Sequence, residues 1–395
     1  MQKAHRLQAL PPYLFVQIRH KIRDARERGI DVISLGVGDP DQPTPPHVID
    51  ELCRTARDPA NHVYPTDEEK GMGRFREAIA AWYDRRFGVQ LNPATETLAL
   101  IGSKEGNHHL ALAFLNPGDL AILPDPAYPA YYASVLFADG QPYRIPLYPE
   151  RGWLPDFADV PSDIARRAKL LMLNYPNNPT TAVAPPSFFD EAVAFARNHD
   201  IIVCNDFPYS EIAFDGYRPA SLLAARGAKE VAVEFNSLSK PYNMTGWRIG
   251  MAVGNADVIA GMAQVKENTD SGIFNAIQYA GIAALEGPQD NISYMTGIYQ
   301  KRRDLVVNTW RALGISVEPP KATFYLWAPT PNGMSSAQWA ERLLEVAGVV
   351  VTPGLGYGSR GEGYFRVSLT IADARLQEAM QRILEHRDEL TKPAG

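Results

Sequence analysis

The stretch from Ser237 to Gly250 carries the residues best suited to chemistry. Lys240 follows two serines, Ser237 and Ser239, and Arg248 comes eight residues after the lysine. A lysine that forms an imine must be desolvated, because burial lowers its pKa and frees the amine lone pair. The serines and the arginine can donate hydrogen bonds to a dianionic group beside that lysine. The alternative is a solvated surface lysine, and this stretch alone does not decide between the two.

A second group of candidates follows the short apolar segments that we predict to be strands. Ser103 and Lys104 open a helix after a glycine turn, where free N–H groups and the helix dipole suit a phosphate. An ordinary N-cap serine is the simpler alternative there. Tyr128 lies between prolines, so it either stacks on an aromatic ring or packs in a rigid loop. Asn178 precedes a proline, and its amide either meets a phenolic oxygen or belongs to a plain turn.

A carboxylate and a phenol come after another of these segments. Asp206 follows the apolar run 201–204, where a carboxylate is costly to bury unless it has a cationic partner. A protonated pyridine nitrogen is such a partner, and a helix-capping or solvated aspartate is an equally good alternative. Tyr209 can donate to a phenolic oxygen. Each signal is weak by itself, but all follow predicted strands, where ligands of doubly wound sheets bind.

The elements that must position these residues alternate between strand and helix from about residue 46 to 285. This alternation predicts an α/β fold with a mostly parallel sheet covered by helices. The strands are short and mostly apolar, as strands buried on both faces are, and we predict them at 96–100, 120–124, 168–173, 201–205 and 231–235. The predicted helices of this region span 46–57, 73–87, 104–115, 186–199, 256–266 and 276–285.

The rest of the chain predicts an N-terminal arm and a smaller α+β domain. The arm, residues 1–30, contains a helix at 16–28. Helices at 291–312, 335–347 and 372–390 and strands at 316–318, 323–328, 349–352 and 364–368 form the smaller domain. We expect a strand at 31–35 to join it, because a lone strand is not stable. The predicted domains are therefore the arm, a large domain at 46–285, and a small domain made of 31–45 and 286–395.

Composition limits the class of protein. The chain has 395 residues, enough for two domains, and a net charge of −6 with both signs interspersed, which argues against nucleic acid or a membrane as the main partner. Cys53 and Cys204 form no CxxC pair, so neither a disulfide framework nor a zinc site is expected. Without an apolar signal core or a membrane-spanning run, we expect a cytoplasmic protein.

Nearly the whole chain resembles the class I/II, fold-type I aminotransferases that depend on pyridoxal 5′-phosphate (PLP), in the aspartate aminotransferase-like superfamily. The stretch 237–250 is similar to their PLP-lysine motif. Three further phrases, at 35–41, 100–106 and 357–366, are similar to the LL-diaminopimelate aminotransferase-like branch. The resemblance implies a large domain with a mostly parallel sheet between helices and a smaller α+β domain.

The same resemblance implies a role for each candidate residue. Lys240 would be the Schiff-base lysine, Asp206 the partner of the pyridinium nitrogen, and Tyr128 the ring that stacks on it. The implied cofactor-binding set is Ser103, Lys104, Tyr128, Asn178, Asp206, Tyr209, Ser237, Ser239 and Arg248, with Tyr64 and Asn275 reaching the neighbouring subunit's cofactor in a homodimer. The implied substrate-binding residues are Tyr13, Gly38 and Arg366, the last of which would bind the α-carboxylate.

The implied activity is transfer of an amino group between an α-amino acid and a 2-oxo acid. The branch favours LL-diaminopimelate with 2-oxoglutarate, the lysine-biosynthesis reaction, over a broader alanine- or aspartate-type aminotransferase or a PLP β-lyase. Two features depart from the family. Thr181 stands where glycine is usual, and the loop at 65–71, which approaches the substrate in the family, looks longer.

Other classes fit less well. A nicotinamide dehydrogenase needs GxGxxG after a strand, and the segment 36–41 lacks the third glycine. His108 and His109 are adjacent on a predicted helix and point to different sides, so no metal site is expected. A PLP-fold regulator would carry a DNA-binding domain, and the short arm forms no helix-turn-helix.

Overall fold

The structure, a computed structural model, describes residues 1–65 and 70–392 of the chain. Residues 66–69 of the lengthened loop lie outside the described residues. The strands are β1 (Ile33–Ser34), β2 (Thr97–Leu100), β3 (Leu120–Asp125), β4 (Gln141–Pro146), β5 (Ala168–Leu173), β6 (Ile202–Asp206), β7 (Ala232–Ser237), β8 (Gly250–Gly254), β9 (Tyr325–Pro329), β10 (Val349–Val350), β11 (Thr352–Pro353) and β12 (Tyr364–Ser368).

The helices cover the sheet and form the second body. They are α1 (His5–Gln8), α2 (Leu14–Glu27), α3 (Pro46–Ala56), α4 (Gly73–Phe87), α5 (Ser103–Phe114), α6 (Pro129–Phe137), α7 (Ser162–Arg167), α8 (Pro186–His199), α9 (Ala228–Val231), α10 (Ala256–Glu267), α11 (Asn275–Glu286), α12 (Asp290–Ala312), α13 (Ser336–Ala347), α14 (Asp373–Glu385) and α15 (Arg387–Leu390). Most predicted bounds hold within two residues, because local signals fix helix ends: α4 ends at Gly88, whose φ is 67°.

A seven-stranded sheet in the order β2-β8-β7-β6-β5-β3-β4 confirms the predicted α/β fold. The neighbouring strands β7, β6, β5, β3 and β4 pair in parallel, in that order. The strand β8 runs antiparallel to both of its neighbours, β7 and β2. The strands β7, β6, β5, β3 and β2 therefore end at one edge of the sheet. The sequence analysis missed β8, a glycine-bounded run directly after Arg248, and the edge strand β4, which contains two prolines.

A second body forms around the antiparallel sheet β11-β12-β9. Its core packs large aromatic side chains such as Trp310, Trp339 and Phe365. The strand β1 pairs in parallel with β10, so the N-terminal strand joins this C-terminal region as predicted. The strand predicted at 316–318 is wrong, and the helix predicted at 372–390 breaks at His386. The bounds of the domains stay a prediction.

The N-terminal arm packs on the second body through α2. Leu14 and Ile18 of this helix are buried in a cluster with Trp327 and Tyr357. The packing places Tyr13, the N-cap of α2, beside the carboxyl ends of the central strands, since Tyr13 lines a cavity there. Within the described ranges, no helix combines the length and the apolar character needed to cross a lipid bilayer.

Candidate active site

A cavity of about 360 Å³ lies at the edge where the parallel strands end. A larger, more apolar cavity of about 950 Å³ adjoins it and shares Tyr13, Lys104 and Tyr128. The smaller cavity brings together most of the predicted site residues, namely Tyr13, Gly38, Ser103, Lys104, Tyr128, Asn178, Asp206, Tyr209, Ser237, Ser239, Lys240 and Arg248.

Lys240 follows β7 and presents its amine to this cavity. Its Nζ donates to the carbonyl oxygen of Gly38 at 3.2 Å and lies 5.4 Å from the centre of the Phe324 ring. Burial lowers the pKa of Lys240 to about 8, and the nearby Asp39 only partly opposes the shift. The structure thus supplies the desolvated lysine that the motif predicted.

Asp206, the last residue of β6, is buried and incompletely paired. Its Oδ2 accepts from the Tyr131 hydroxyl at 2.9 Å, whereas Oδ1 has no hydrogen-bond partner among the described residues. Burial raises the pKa of Asp206 to about 6, and the bond from Tyr131 opposes this shift. An unpaired buried carboxylate oxygen that lines the cavity fits a protonated pyridine nitrogen. Tyr131 was missed because the helix α6 that carries it was not predicted.

Groups suited to a dianion gather where α5 begins. Ser103 is the first residue of α5, and Ser237, Ser239 and Arg248 line the same cavity. Arg248 is fixed by donating to the carbonyl oxygen of Thr245 at 2.9 Å and to that of Ile101 at 3.3 Å. Hydroxyls, a guanidinium and a helix N-terminus together form a site for a phosphate.

Gly102, the N-cap of α5, is required by this arrangement. Its φ is 77°, and a Cβ there would overlap the Arg248 guanidinium. Lys104, by contrast, is held toward the N-terminal arm. Its Nζ lies 4.9 Å from the centre of the Tyr13 ring and 3.4 Å from the Tyr13 hydroxyl oxygen.

Arg366, on β12, is fully buried beside the cavity but is not part of its lining. It donates to Asn178 Oδ1 at 2.7 Å and to the carbonyl oxygen of Gly36 at 2.8 Å. The guanidinium carbon lies 3.9 Å from the centre of the Tyr325 ring. Arg366, the predicted substrate-binding arginine, therefore contacts Asn178, a predicted cofactor-binding residue. Because this contact uses the Oδ1 of Asn178, its Nδ2 can donate to another acceptor.

Tyr209 and Gly38 both meet Tyr325, a residue the sequence analysis missed. The Tyr209 hydroxyl donates to that of Tyr325 at 3.2 Å. A Cβ on Gly38 would overlap the Tyr325 hydroxyl oxygen, which explains why this position has no side chain. Tyr325 begins β9, and an apolar strand pattern gave no sign that its hydroxyl would reach the site.

Tyr64 and Asn275 are not brought to the cavity of this chain. Tyr64 is 75% exposed, whereas Asn275, the first residue of α11, is buried. The Oδ1 of Asn275 has no hydrogen-bond partner in the described part of the chain. Their predicted role at the neighbouring subunit's cofactor stays a prediction.

The Asn177–Thr181 turn keeps a backbone that suits glycine. Thr181 has a φ of 63°, in the left-handed region, and its N–H donates to the carbonyl oxygen of Asn177 at 3.0 Å. The threonine therefore adopts a conformation that glycine would adopt at lower cost.

Comparison with known proteins agrees with this fold. The chain belongs to the class I and II aminotransferases, whose family model matches residues 30–383. It is thus a PLP-dependent enzyme of fold type I. The unpaired Asp206 oxygen and the phosphate-type site at α5 fit this cofactor.

Two sets of relatives extend the comparison. The LL-diaminopimelate aminotransferases of Moorella thermoacetica and Dehalococcoides mccartyi are 57% and 55% identical, covering 97% and 98% of this chain and 98% and 100% of theirs. Substrate-bound BacF from Bacillus subtilis superimposes with a TM-score of 0.94 at 38% identity, covering 100% of this chain and 99% of that one. An aspartate aminotransferase mutant of Thermus thermophilus gives 0.90 at 31% identity, covering 98% and 99%.

Proposed function

We propose that the protein transfers the amino group of LL-diaminopimelate to 2-oxoglutarate, or the reverse, in lysine biosynthesis. The observation that carries this proposal is the 57% identity, over 97% of this chain, to a protein named for that substrate. The proposed setting is the cytoplasm, and the free thiols of Cys53 and Cys204 are consistent with a reducing compartment.

The roles of the residues follow from what each can donate or accept. We propose that Ser103, Ser237, Ser239 and Arg248 bind the cofactor phosphate, with Lys104 as a further positive charge. Tyr128 would lie against the ring, and Asn178 and Tyr209 would donate to its phenolic oxygen, with the Tyr209 proton turned away from Tyr325. When bound, PLP supplies the electron sink that accepts the electrons released at the substrate Cα. The Asp206 Oδ1 would accept a hydrogen bond from the ring nitrogen and keep that nitrogen protonated.

Lys240 is the proposed acid and base. Because burial lowers its pKa to about 8, roughly a tenth of Nζ is a neutral amine at pH 7, far more than for an ordinary lysine. That amine would take the proton from the substrate Cα and deliver it to the cofactor's C4′ carbon. Asp39 raises the pKa of Lys240 and Arg366 lowers it, each by less than burial does.

Arg366 is the proposed partner of the substrate α-carboxylate. Its guanidinium is held by Asn178 and Gly36, and its Nε has no hydrogen-bond partner among the described residues. An arginine offers a planar fork that a carboxylate accepts with both oxygens. Tyr13 and Gly38 line the same cavity and are the further proposed contacts of the substrate.

A homodimer is part of the proposal. Val63 and Tyr64 are 66% and 75% exposed, and Phe274 is 42% exposed beside Asn275. The Phe274 ring lies 6.4 Å from that of His62, so these apolar side chains belong to one surface. A second copy covering this surface would remove these apolar side chains from water.

The test is a panel of amino acids added to the purified PLP form. Conversion of its absorbance spectrum to the pyridoxamine form by LL-diaminopimelate and by glutamate, but not by alanine or aspartate, is the expected result. Conversion by alanine or aspartate at a comparable rate would favour the broader aminotransferase. Release of pyruvate and ammonia without a 2-oxo acid would overturn transamination in favour of a lyase.

A further inference from the structure

A fully buried lysine lies behind the phosphate-type site. Lys266 of α10 is 0% exposed, and its Nζ lies 2.9 Å from Glu105 Oε1. The same Nζ lies 2.9 Å and 3.0 Å from the two carboxylate oxygens of Asp270. A buried charge is stable only when it is paired and hydrogen-bonded, so this ammonium is committed to these two carboxylates.

His109 completes the cluster without adding charge to it. Donor atoms of Glu105, His109 and Asp270 lie within 4.8 Å of one another, a spacing that suits a metal ion. Burial, however, lowers the pKa of His109 to about 4, so the imidazole is neutral at neutral pH. The Lys266 ammonium contacts both carboxylates and supplies the positive charge that a cation would bring.

Each of the two carboxylates also accepts a hydrogen bond from a backbone N–H. The Oε2 of Glu105 accepts from the N–H of Ile101, the residue before Gly102 and Ser103. The carbonyl oxygen of Ile101 accepts in turn from Arg248. The pair of Lys266 and Glu105 therefore fixes the peptide units that open α5.

The other carboxylate reaches a different segment. Asp270 Oδ1 accepts from the N–H of Gly272 at 2.7 Å, three residues before Asn275. The Lys266 ammonium, through Glu105 and Asp270, thus links the turn before α5 to the segment before α11.

We propose that Lys266 is a positioning residue that, through Glu105, sets the turn of Ile101, Gly102 and Ser103 for binding the cofactor phosphate. This inference rests on the proposed function, since it takes that turn as the phosphate site. Without the ammonium, the half-buried carboxylates of Glu105 and Asp270 face each other within 4.8 Å, where like charges repel. Glu105 then takes up a proton or moves, and either change weakens its bond to the Ile101 N–H.

The test compares two ligands on the full-length, cofactor-free protein. PLP and pyridoxal, which lacks the phosphate, are titrated against wild type and Lys266→Met, with binding followed by absorbance. We expect the substitution to weaken PLP binding by about tenfold or more, since charge-assisted hydrogen bonds are at stake. Pyridoxal binding should stay unchanged. An equal loss for both ligands would show a merely structural role and overturn the proposal.

Two further variants make the test specific. Glu105→Gln keeps the shape of the side chain but places an NH2 against either the Lys266 ammonium or the Ile101 N–H. It should therefore also weaken the binding of PLP and leave the binding of pyridoxal unchanged. Lys229→Met removes another ion-paired lysine, whose Nζ lies 2.7 Å from a carboxylate oxygen of Glu96. Lys229 belongs to α9, which comes directly before β7, so it lies at the edge of the sheet opposite to the site. Lys229→Met should change neither the affinity for PLP nor the affinity for pyridoxal.

The outcomes separate the two proposals. If Lys266→Met does not fold, unchanged PLP affinity in Glu105→Gln overturns the role of the cluster. If wild type binds PLP and pyridoxal equally, the turn is not the phosphate site, and the assignment of phosphate residues fails together with this inference. If wild type binds PLP more tightly than pyridoxal and Lys266→Met keeps the whole of this difference, only the positioning role of Lys266 is refuted.

Discussion

At the scale of single residues, burial shifts the pKa values of Lys240 and Asp206 in opposite directions. The lysine falls to about 8 and the aspartate rises to about 6, so each shift favours the neutral form. Shifted pairs of this kind are typical of sites that handle protons. In the proposed complex, a protonated ring nitrogen beside the Asp206 Oδ1 would favour the carboxylate form of Asp206.

The first prediction concerns the attachment of the cofactor. Borohydride reduction of the PLP form followed by peptide mapping should place the label on Lys240. Lys240→Ala should lose both the label and turnover, while Lys104→Ala, a lysine of the same cavity, should keep the label. A label on any other lysine of the wild type contradicts the assignment.

The pKa of Lys240 gives a second prediction, about pH. The neutral amine is the reactive form, so the rate at which cofactor-free protein combines with PLP should rise with pH and level off above about 8. An ordinary lysine, with a pKa of about 10.4, would keep gaining reactivity beyond that point. Stopped-flow absorbance across the pH range measures the rate, and a continued rise to pH 10 would show that Lys240 is not desolvated.

A third prediction concerns Asp206. Asp206→Asn keeps the volume of the side chain but removes the negative charge, so kcat should fall by about 100-fold or more. The interaction matters most when electrons flow into the ring, so KM and cofactor retention should change far less. Steady-state kinetics with a cofactor-binding measurement separates these effects. Parallel losses in all three would indicate a structural carboxylate.

At the scale of elements, the site depends on strands that end at one edge of the sheet and on the turns that follow them. One of these turns, Asn177–Thr181, carries a cost, since Thr181 is β-branched and has a φ of 63°. The left-handed conformation costs an L-residue roughly 1–2 kcal/mol. Part of this is offset because glycine loses more entropy on folding.

The fourth prediction follows from this turn. Thr181→Gly should raise the free energy of unfolding by up to about 1 kcal/mol, since the N–H that donates to Asn177 remains. Thr181→Val retains the branched Cβ and should give no gain. Denaturant unfolding of both variants beside wild type provides the measurement, and a Thr181→Gly variant less stable than wild type would disprove the strain.

At the scale of the whole molecule, the arm and the two bodies each contribute residues to the lining of the cavity, among them Tyr13, Tyr128 and Tyr325. The fifth prediction is that the protein is a dimer whose interface covers Val63, Tyr64 and Phe274. Light scattering after size exclusion should give twice the chain mass. Phe274→Glu should weaken the dimer, whereas Leu384→Glu, at a 44% exposed position on α14, should not. A wild-type monomer would remove the proposed role of Tyr64 and Asn275.

The sequence by itself determined most of the elements and the types of residue in the site. Apolar runs fixed β5 and β12, and a glycine fixed the end of α4, because these signals act over a few residues. The residues that follow the strands were predicted for the same reason, and family resemblance supplied their roles.

Only the tertiary structure decided which side chains meet. The contacts of Arg366 with Asn178, of Tyr131 with Asp206 and of Lys266 with Glu105 each join residues at least 75 positions apart. The order of the strands and the packing of α5 on α10 bring them together, and neither is encoded in a local pattern. Burial then sets the pKa of Lys240 and of Asp206, because desolvation depends on everything packed around a group rather than on its neighbours in the chain.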